Sequence, residues 1–334
     1  MSNTIPLLYT LANKSKSFSK ITISNFKRSE VLTQLRKSIQ FSQIEDAALW
    51  TTELHCSGSL KQLFVDFVMA YVQKINISNP NLPYFLYKKI IQFEKITDTY
   101  NKLIDTRNNQ EIRNMFADIV VCLATSRKNS YLNSLPVPKA EDYVPINLRK
   151  KVISKNTAIL NGLMVDTEPT EVQLAIAEIA THLTIATPIH EPIFWYKWLR
   201  KKFKQADIYI WRVLNRRSKQ LSHKHQLAIK CLYEIFRRYK KQDAIYCSIA
   251  FLKLPIDWNI PLFRKYSIRI QVCGNINQIY RYIAQKTNDM SLEEFKQIKV
   301  YNEGKLKKKH EKEKNIQIAA ATKYLDVVPF TENE

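Results

Sequence analysis

Apolar residues recur along most of this chain at the three- and four-residue spacing of one helix face. Val31, Leu35, Ile39 and Ile44 trace a short amphipathic helix, with Ser29 read as its N-cap and Glu30 in its first turn. Glu45 to Cys56 predicts a second helix with Ala48, Leu49, Trp50 and Leu54 toward the core, and Gly58 predicts its break. Leu60 to Ile75 predicts a third, with Leu63, Phe64, Phe67, Val68 and Tyr71 on one face. After an Asn-Pro-Asn-Leu-Pro turn, Tyr84 to Ile104 and Glu111 to Thr125 again carry helical spacing. So do Thr170 to Ala186, a long segment from Phe194 to Leu221, Lys224 to Tyr239, and the stretch after Pro261 through Gln285. Ser291 and Glu294 form a capping box ahead of a last, highly charged helix.

No internal repeat or alternation of strands with helices is visible. Tyr209 to Leu214 and Ser267 to Cys273 have strand-like composition, but the helical reading is preferred for both. The chain has only four glycines, Gly58, Gly162, Gly274 and Gly304. Tight hairpins and bulges favour glycine. The expected fold is therefore all-α. Its expected order is a flexible arm (1–26), a multi-helix domain (27–135), a proline-bearing linker (136–146), a second, basic helical domain (147–290), and a charged C-terminal helix and tail (291–334).

Composition narrows the setting. A 334-residue chain that is 45% hydrophobic can build one large core or two ordinary ones. The five cysteines include no CxxC pair, which fits free thiols in a reducing compartment, cytoplasmic or nuclear. Residues 1–14 lack the apolar core of a signal peptide. No run approaches about 18 uncharged apolar residues, so no membrane partner is expected.

Charge changes the picture most. Between Lys197 and Lys241 stand fifteen Lys and Arg against two acids, Asp207 and Glu234, which is over half of the chain's net +22. Unmixed charge of this density favours a polyanion nearby, and nucleic acid is the commonest one. Placed on a single helix, Lys197, Lys201, Lys204, Arg212, Arg216 and Lys219 share about a third of the circumference, opposite Trp195, Leu199, Phe203, Ala206, Ile210 and Val213. Cations every one or two turns match the spacing of a phosphate backbone. Arg200, Arg217, Arg237, Arg238 and Lys241 extend the candidate contact set, and arginine adds bidentate contacts that lysine lacks. Trp195, Trp198, Trp211, Tyr196 and Tyr209 interleave with these charges. They are either core residues or include one or two that stack on bases of a single strand. The Lys-rich run from Lys305 to Lys314 is read as a solvated helix or a second anionic contact.

Catalytic chemistry finds little footing. With four scattered glycines no phosphate-cradling loop is possible. His223 and His225 sit among cations that repel a metal. His55 and Cys56 are adjacent and cannot share a helix face. His182 and His190 lack a nearby carboxylate pair. No catalytic residue, metal or cofactor is expected.

The segment Leu35 to Leu54 reads LRKSIQFSQIEDAALWTTEL. Lys37-Ser38-Ile39 followed by Asp46-Ala47-Ala48-Leu49 and Trp50 resembles the start of the C-terminal domain of the MgsA/RarA-type ATPases, relatives of clamp loaders. Glu111-Ile112-Arg113, the run Ile119 to Ala124, and Ser126 to Tyr131 resemble its later helix and ending, although Arg127 and Asn129 depart from the pattern. The resemblance spans about residues 27–135. Residues 25–31 and Phe194 to Leu199 are also similar to free-standing versions in large nucleocytoplasmic DNA viruses. In that family the region is an all-α collar that mediates oligomerisation, while an upstream module performs ATP hydrolysis. The resemblance therefore implies a helical, protein-docking or homo-oligomeric domain and a replication setting, with a viral factory or virion as further locations.

Together these readings predict a non-enzymatic nucleic-acid-binding accessory protein of replication or repair, backbone-directed, with DNA ahead of RNA. The alternatives are a structural or scaffold protein, of a virion or assembly, with a basic interaction surface, or a transcription-associated subunit.

Overall fold

A computed structural model describes residues 20–288, apart from 102, 130, 155–156 and 164–167. Among the described residues the chain forms α1 (Arg28–Gln40), α2 (Ile44–Cys56), α3 (Leu60–Lys74), α4 (Leu82–Thr97), α5 (Gln110–Thr125), α6 (Pro145–Lys151), α7 (Thr170–His182), α8 (His190–Lys202), α9 (Ala206–Lys219), α10 (His223–Tyr239), α11 (Asp243–Lys253) and α12 (Tyr266–Asn288). The only extended pairing among them is an isolated bridge between Ile21 and Lys27. The fold is all-α, as the periodicity predicts. Residues 1–19 of the expected arm and the expected charged helix after Ser291 lie outside the described residues.

Two compact units divide the chain. The described part of the first comprises residues 20–67, 89–126 and 263–288; that of the second comprises 68–88 and 127–262. In the first unit α1 packs on α2, α2 on α5, and α12 on both α2 and α5. Phe64 anchors its core, with ring centroids 4.8 Å from Phe93 and 5.5 Å from Phe116. Each such buried ring removes enough apolar surface from water to stabilise the fold by about 2 kcal/mol.

Local signals set several helix ends here. Gly58 adopts φ +75°, and its N–H donates to the His55 carbonyl (2.9 Å) while Ser59 N–H donates to that of Leu54 (2.9 Å). This left-handed closure satisfies the last carbonyls of α2. The Asn109 side chain accepts the Ile112 N–H at 3.0 Å and starts α5. Ser29, read as the cap of α1, instead lies inside it. The bridge to Ile21 holds Lys27 extended, and the helix begins at Arg28. Residues 20–26 are held down rather than free: Ile23 and Phe26 are buried, and the Ser24 N–H and hydroxyl donate to Glu53 at 2.9 and 2.7 Å. The helix expected to reach Ile104 ends at Thr97, after which Leu103–Asn108 form a 3-10 segment.

In the second unit α7 packs on α8 and α9, while α10 packs on α9 and α11. Its core centres on Trp195, Tyr196, Leu199, Ile210, Leu214, Leu232 and Phe251, all buried. The single helix expected from Phe194 to Leu221 is two. Phe203 caps α8 in an extended conformation (φ −132°, ψ 125°), and α9 restarts at Ala206. A continuous helix of that length would run about 42 Å. Breaking it lets α7 cover the apolar faces of both halves. Within the stretch expected as a linker, Tyr143 stacks on Phe194 with centroids 5.3 Å apart.

Candidate nucleic-acid interface

The break at Phe203 reorganises the cations. The proposed row along one rod is not present, because α8 and α9 are separate elements. On α8, Lys197 is half-buried with its ammonium 5.7 Å from the Tyr246 ring centre, and burial holds its pKa below the usual lysine value. Lys201 lies 4.3 Å over the Tyr143 ring. Arg200 approaches Asp207 at 3.6 Å. Lys204 is exposed in the turn between the helices.

Two arginines of α9 are engaged by backbone. Arg212 Nη1 donates to the Leu163 carbonyl at 3.1 Å; Arg216 Nη1 donates to that of Ile159 at 2.9 Å and Arg216 Nη2 to that of Asn161. They fasten residues 159–163 to α9 and are in part structural. Arg217 donates to the Gln220 side chain at 3.0 Å. On α10, Arg237 and Arg238 both reach Glu234, at 3.2 and 3.0 Å. Lys219 is exposed and Lys241 half-buried.

What the fold does bring together is a groove between α9 and α10, with a volume of about 860 Å³. The two helices are joined by the short Gln220–Ser222 connection and run side by side. Each turns its apolar stripe inward: Ile210, Val213 and Leu214 on α9, and Ala228, Leu232 and Ile235 on α10, are buried. The same spacing leaves a second row on each helix, displaced toward the groove. On α9 these are Ile208, Arg212, Asn215 and Lys219; on α10 they are Gln226, Lys230, Tyr233, Arg237 and Lys240. Successive members are three or four residues apart, so each row is a ridge along its helix.

Among the described residues, five Lys and Arg line the groove against two carboxylates, and both carboxylates have partners of their own. Asp207 accepts the Tyr196 hydroxyl at 2.6 Å, and Glu234 holds Arg237 and Arg238. Among the described residues no ion pair involves Lys219, Lys230 or Lys240. The α10 ridge includes an exposed aromatic backed by buried ones. Tyr233 is 39% exposed, and its ring lies 5.2 Å from that of Trp211, which in turn lies 5.4 Å from Phe236.

Of the aromatics singled out in the sequence, Trp195, Trp198, Tyr196, Tyr209 and Trp211 are all buried, which is the core reading. Tyr233 was not among them. The signal for it is the spacing of Lys230, Tyr233, Arg237 and Lys240, which sets an aromatic inside a cationic row on one face of α10.

Lys240 has a further peculiarity. It closes α10 in the left-handed conformation (φ 53°, ψ 34°), its N–H donating to the Phe236 carbonyl at 2.7 Å. Glycine is the residue this position favours, and a lysine there costs about 1 kcal/mol. Its ammonium lies at the groove edge, 5.4 Å from the Phe236 ring centre.

Elsewhere His182 and His190, read in the sequence as lacking a nearby carboxylate pair, stand 3.6 Å from Glu178 and 3.2 Å from Glu191, while His225 and His55 are held by packing. His225 shares a hydrogen bond with Ser222 (2.8 Å) and meets the Trp258 ring at 4.9 Å; His55 is buried against Phe116 and hydrogen-bonds Tyr280. Among the described residues no three His, Cys, Asp or Glu side chains gather as a metal site, and no helix is long and apolar enough to cross a membrane. No family model matches this chain, and neither the curated proteins nor the solved structures contain a significant match to it.

Proposed function

We propose that this protein is a non-enzymatic DNA-binding accessory factor of replication or repair, which holds the phosphate backbone through the basic faces of α8 to α10. One observation carries the reading: among the described residues the groove-lining lysines Lys219, Lys230 and Lys240 have no ion pair, and the carboxylates that line the groove with them, Asp207 and Glu234, are engaged by other partners. Cations left uncompensated by their own chain attract phosphate and release its counterions. Arg212 and Arg216 contribute less than their position in the sequence implies, because they already serve residues 159–163.

Residues 27–135 act in this reading as the protein-docking or oligomerising part. The support is the resemblance to the MgsA/RarA C-terminal domain, whose matching positions fall on α1, α2 and α5 and on the segment just after α5. Ser38, Ile39, Ala47, Ala48, Leu49 and Trp50 are buried, so what they support is kinship of core.

Titration of a labelled DNA duplex tests the reading. Affinity is expected to fall linearly in log–log form with salt, with a slope of about −0.9 per phosphate neutralised. Reversal of Lys204, Lys219, Lys230 and Lys240 to Glu is expected to abolish binding. Unchanged affinity in a folded quadruple variant refutes it.

A further inference from the structure

We propose that the α9–α10 groove is a binding site for single-stranded DNA, in which a base lies on Tyr233 and the flanking phosphates meet Lys219, Lys230 and Lys240. The proposal rests on the DNA-binding reading above and takes the polymer from it. What it adds is the strandedness and the aromatic contact.

Backbone-only recognition of a duplex needs cations and nothing more, since the base faces are stacked against one another and closed to the protein. This groove offers something a duplex cannot use. Its ridges carry apolar side chains among the cations: Tyr233 and Ile208 remain 39% and 52% exposed, and Trp211 meets the tyrosine ring edge-on at 5.2 Å. Its edges are cationic, from Lys219 on one helix and Lys230 and Lys240 on the other. An exposed aromatic set among positive charges is the arrangement that binds single strands, where each base has a free π-face and each phosphate a negative charge. The ridges belong to two packed helices, whose axes lie about 8–10 Å apart; a duplex can lay its phosphates on the outer lysines, but only an unpaired strand can also bring a base face to Tyr233. Lys240 adds an independent argument. Its left-handed backbone is unfavourable for lysine and ordinary for glycine, so a lysine stands at the groove edge at a cost in local stability. Strain of that kind is retained where a side chain has work to do in a site.

The test uses the full chain and four labelled probes: an oligothymidylate of about 15 nucleotides, an oligouridylate and a duplex of equal length, and a poly-glutamate peptide. Tyr233→Ala is expected to weaken oligothymidylate binding about tenfold and to leave the duplex unchanged. Tyr233→Phe, which keeps the ring and its contact with Trp211, is expected to bind as the parent does. Thermal melts of all variants separate a lost contact from a lost fold. If Tyr233→Ala stays folded and binds the oligothymidylate normally, the stacking site is wrong, while salt-dependent duplex binding would leave the DNA-binding reading standing. Failure of the parent to bind either DNA refutes both. Tighter binding of poly-glutamate than of oligothymidylate assigns the groove to an acidic protein and overturns the proposal. Preference for an oligouridylate over the oligothymidylate overturns the choice of DNA.

Discussion

Gly162 faces Arg216 so closely that a methyl group added at the glycine would stand 3.3 Å from the guanidinium Nη2. The glycine also sits at φ +70°, where other residues are strained. This turn aims the carbonyls of Ile159 and Asn161 at Arg216. Gly162→Ala is expected to destabilise the protein by about 1–2 kcal/mol in urea unfolding. Arg216→Met, which leaves those carbonyls without their donor, is expected to destabilise by about 1–3 kcal/mol. Were Arg216 only a phosphate contact, Arg216→Met would lower DNA affinity and leave the unfolding midpoint where it is.

Lys240 makes the opposite prediction. Lys240→Gly relieves the left-handed strain at the end of α10 and is expected to stabilise the fold by up to about 1 kcal/mol. DNA affinity is expected to fall in the same variant, because one groove cation is removed, and the salt slope is expected to shrink by about one phosphate. Melting curves and binding titrations on one preparation check both signs together.

His55 predicts a pH dependence. It is fully buried, and burial, reinforced by the positive charges of Arg113 and Arg107, holds its pKa well below the usual histidine value. The folded protein therefore keeps His55 neutral, whereas the unfolded chain takes up a proton below about pH 6.5. Its contribution is full above that pH and is lost as pH falls from about 6.5 toward the depressed folded value. The His55→Gln variant is expected to show a shallower decline in stability between pH 7.5 and 5.5 than the parent, by about 1 kcal/mol over that interval. Parallel denaturant curves at the two pH values read the difference.

Asp118 receives Lys89 at 3.0 Å and Arg269 at 2.7 Å, and so joins α4 and α12 to α5 inside the first unit. Burial raises its pKa, but the hydrogen bonds from Arg269 and Lys89 outweigh that and leave it below the usual carboxylate value. Its stabilisation is thus present above about pH 4 and lost as pH falls through the folded value. Asp118→Asn is expected to cost about 1–3 kcal/mol, less than for a fully buried pair because both cations retain some access to water. Chemical denaturation at pH 7 measures it; the gap between parent and variant should narrow as pH falls through the folded value.

The sequence by itself determined the helical class and the ends of several helices. In α2, α3 and α5 the apolar spacing found the buried faces, and Gly58 marked a closure that only a glycine adopts easily. These features depend on residues within a few positions of one another, so a local pattern suffices. The surplus of cations between Lys197 and Lys241 was equally legible, since charge is a count. Which of those cations stay uncompensated was decided by tertiary structure. The bend at Phe203, the carbonyls of residues 159–163 that occupy Arg212 and Arg216, the meeting of α9 and α10 ridges around Tyr233, and the packing of α12 on α2 and α5 all join residues far apart in the chain. A helix wheel ranks the faces of one helix; which groups another segment brings to that face depends on how distant apolar stripes bury one another, and that is settled only when the whole chain packs.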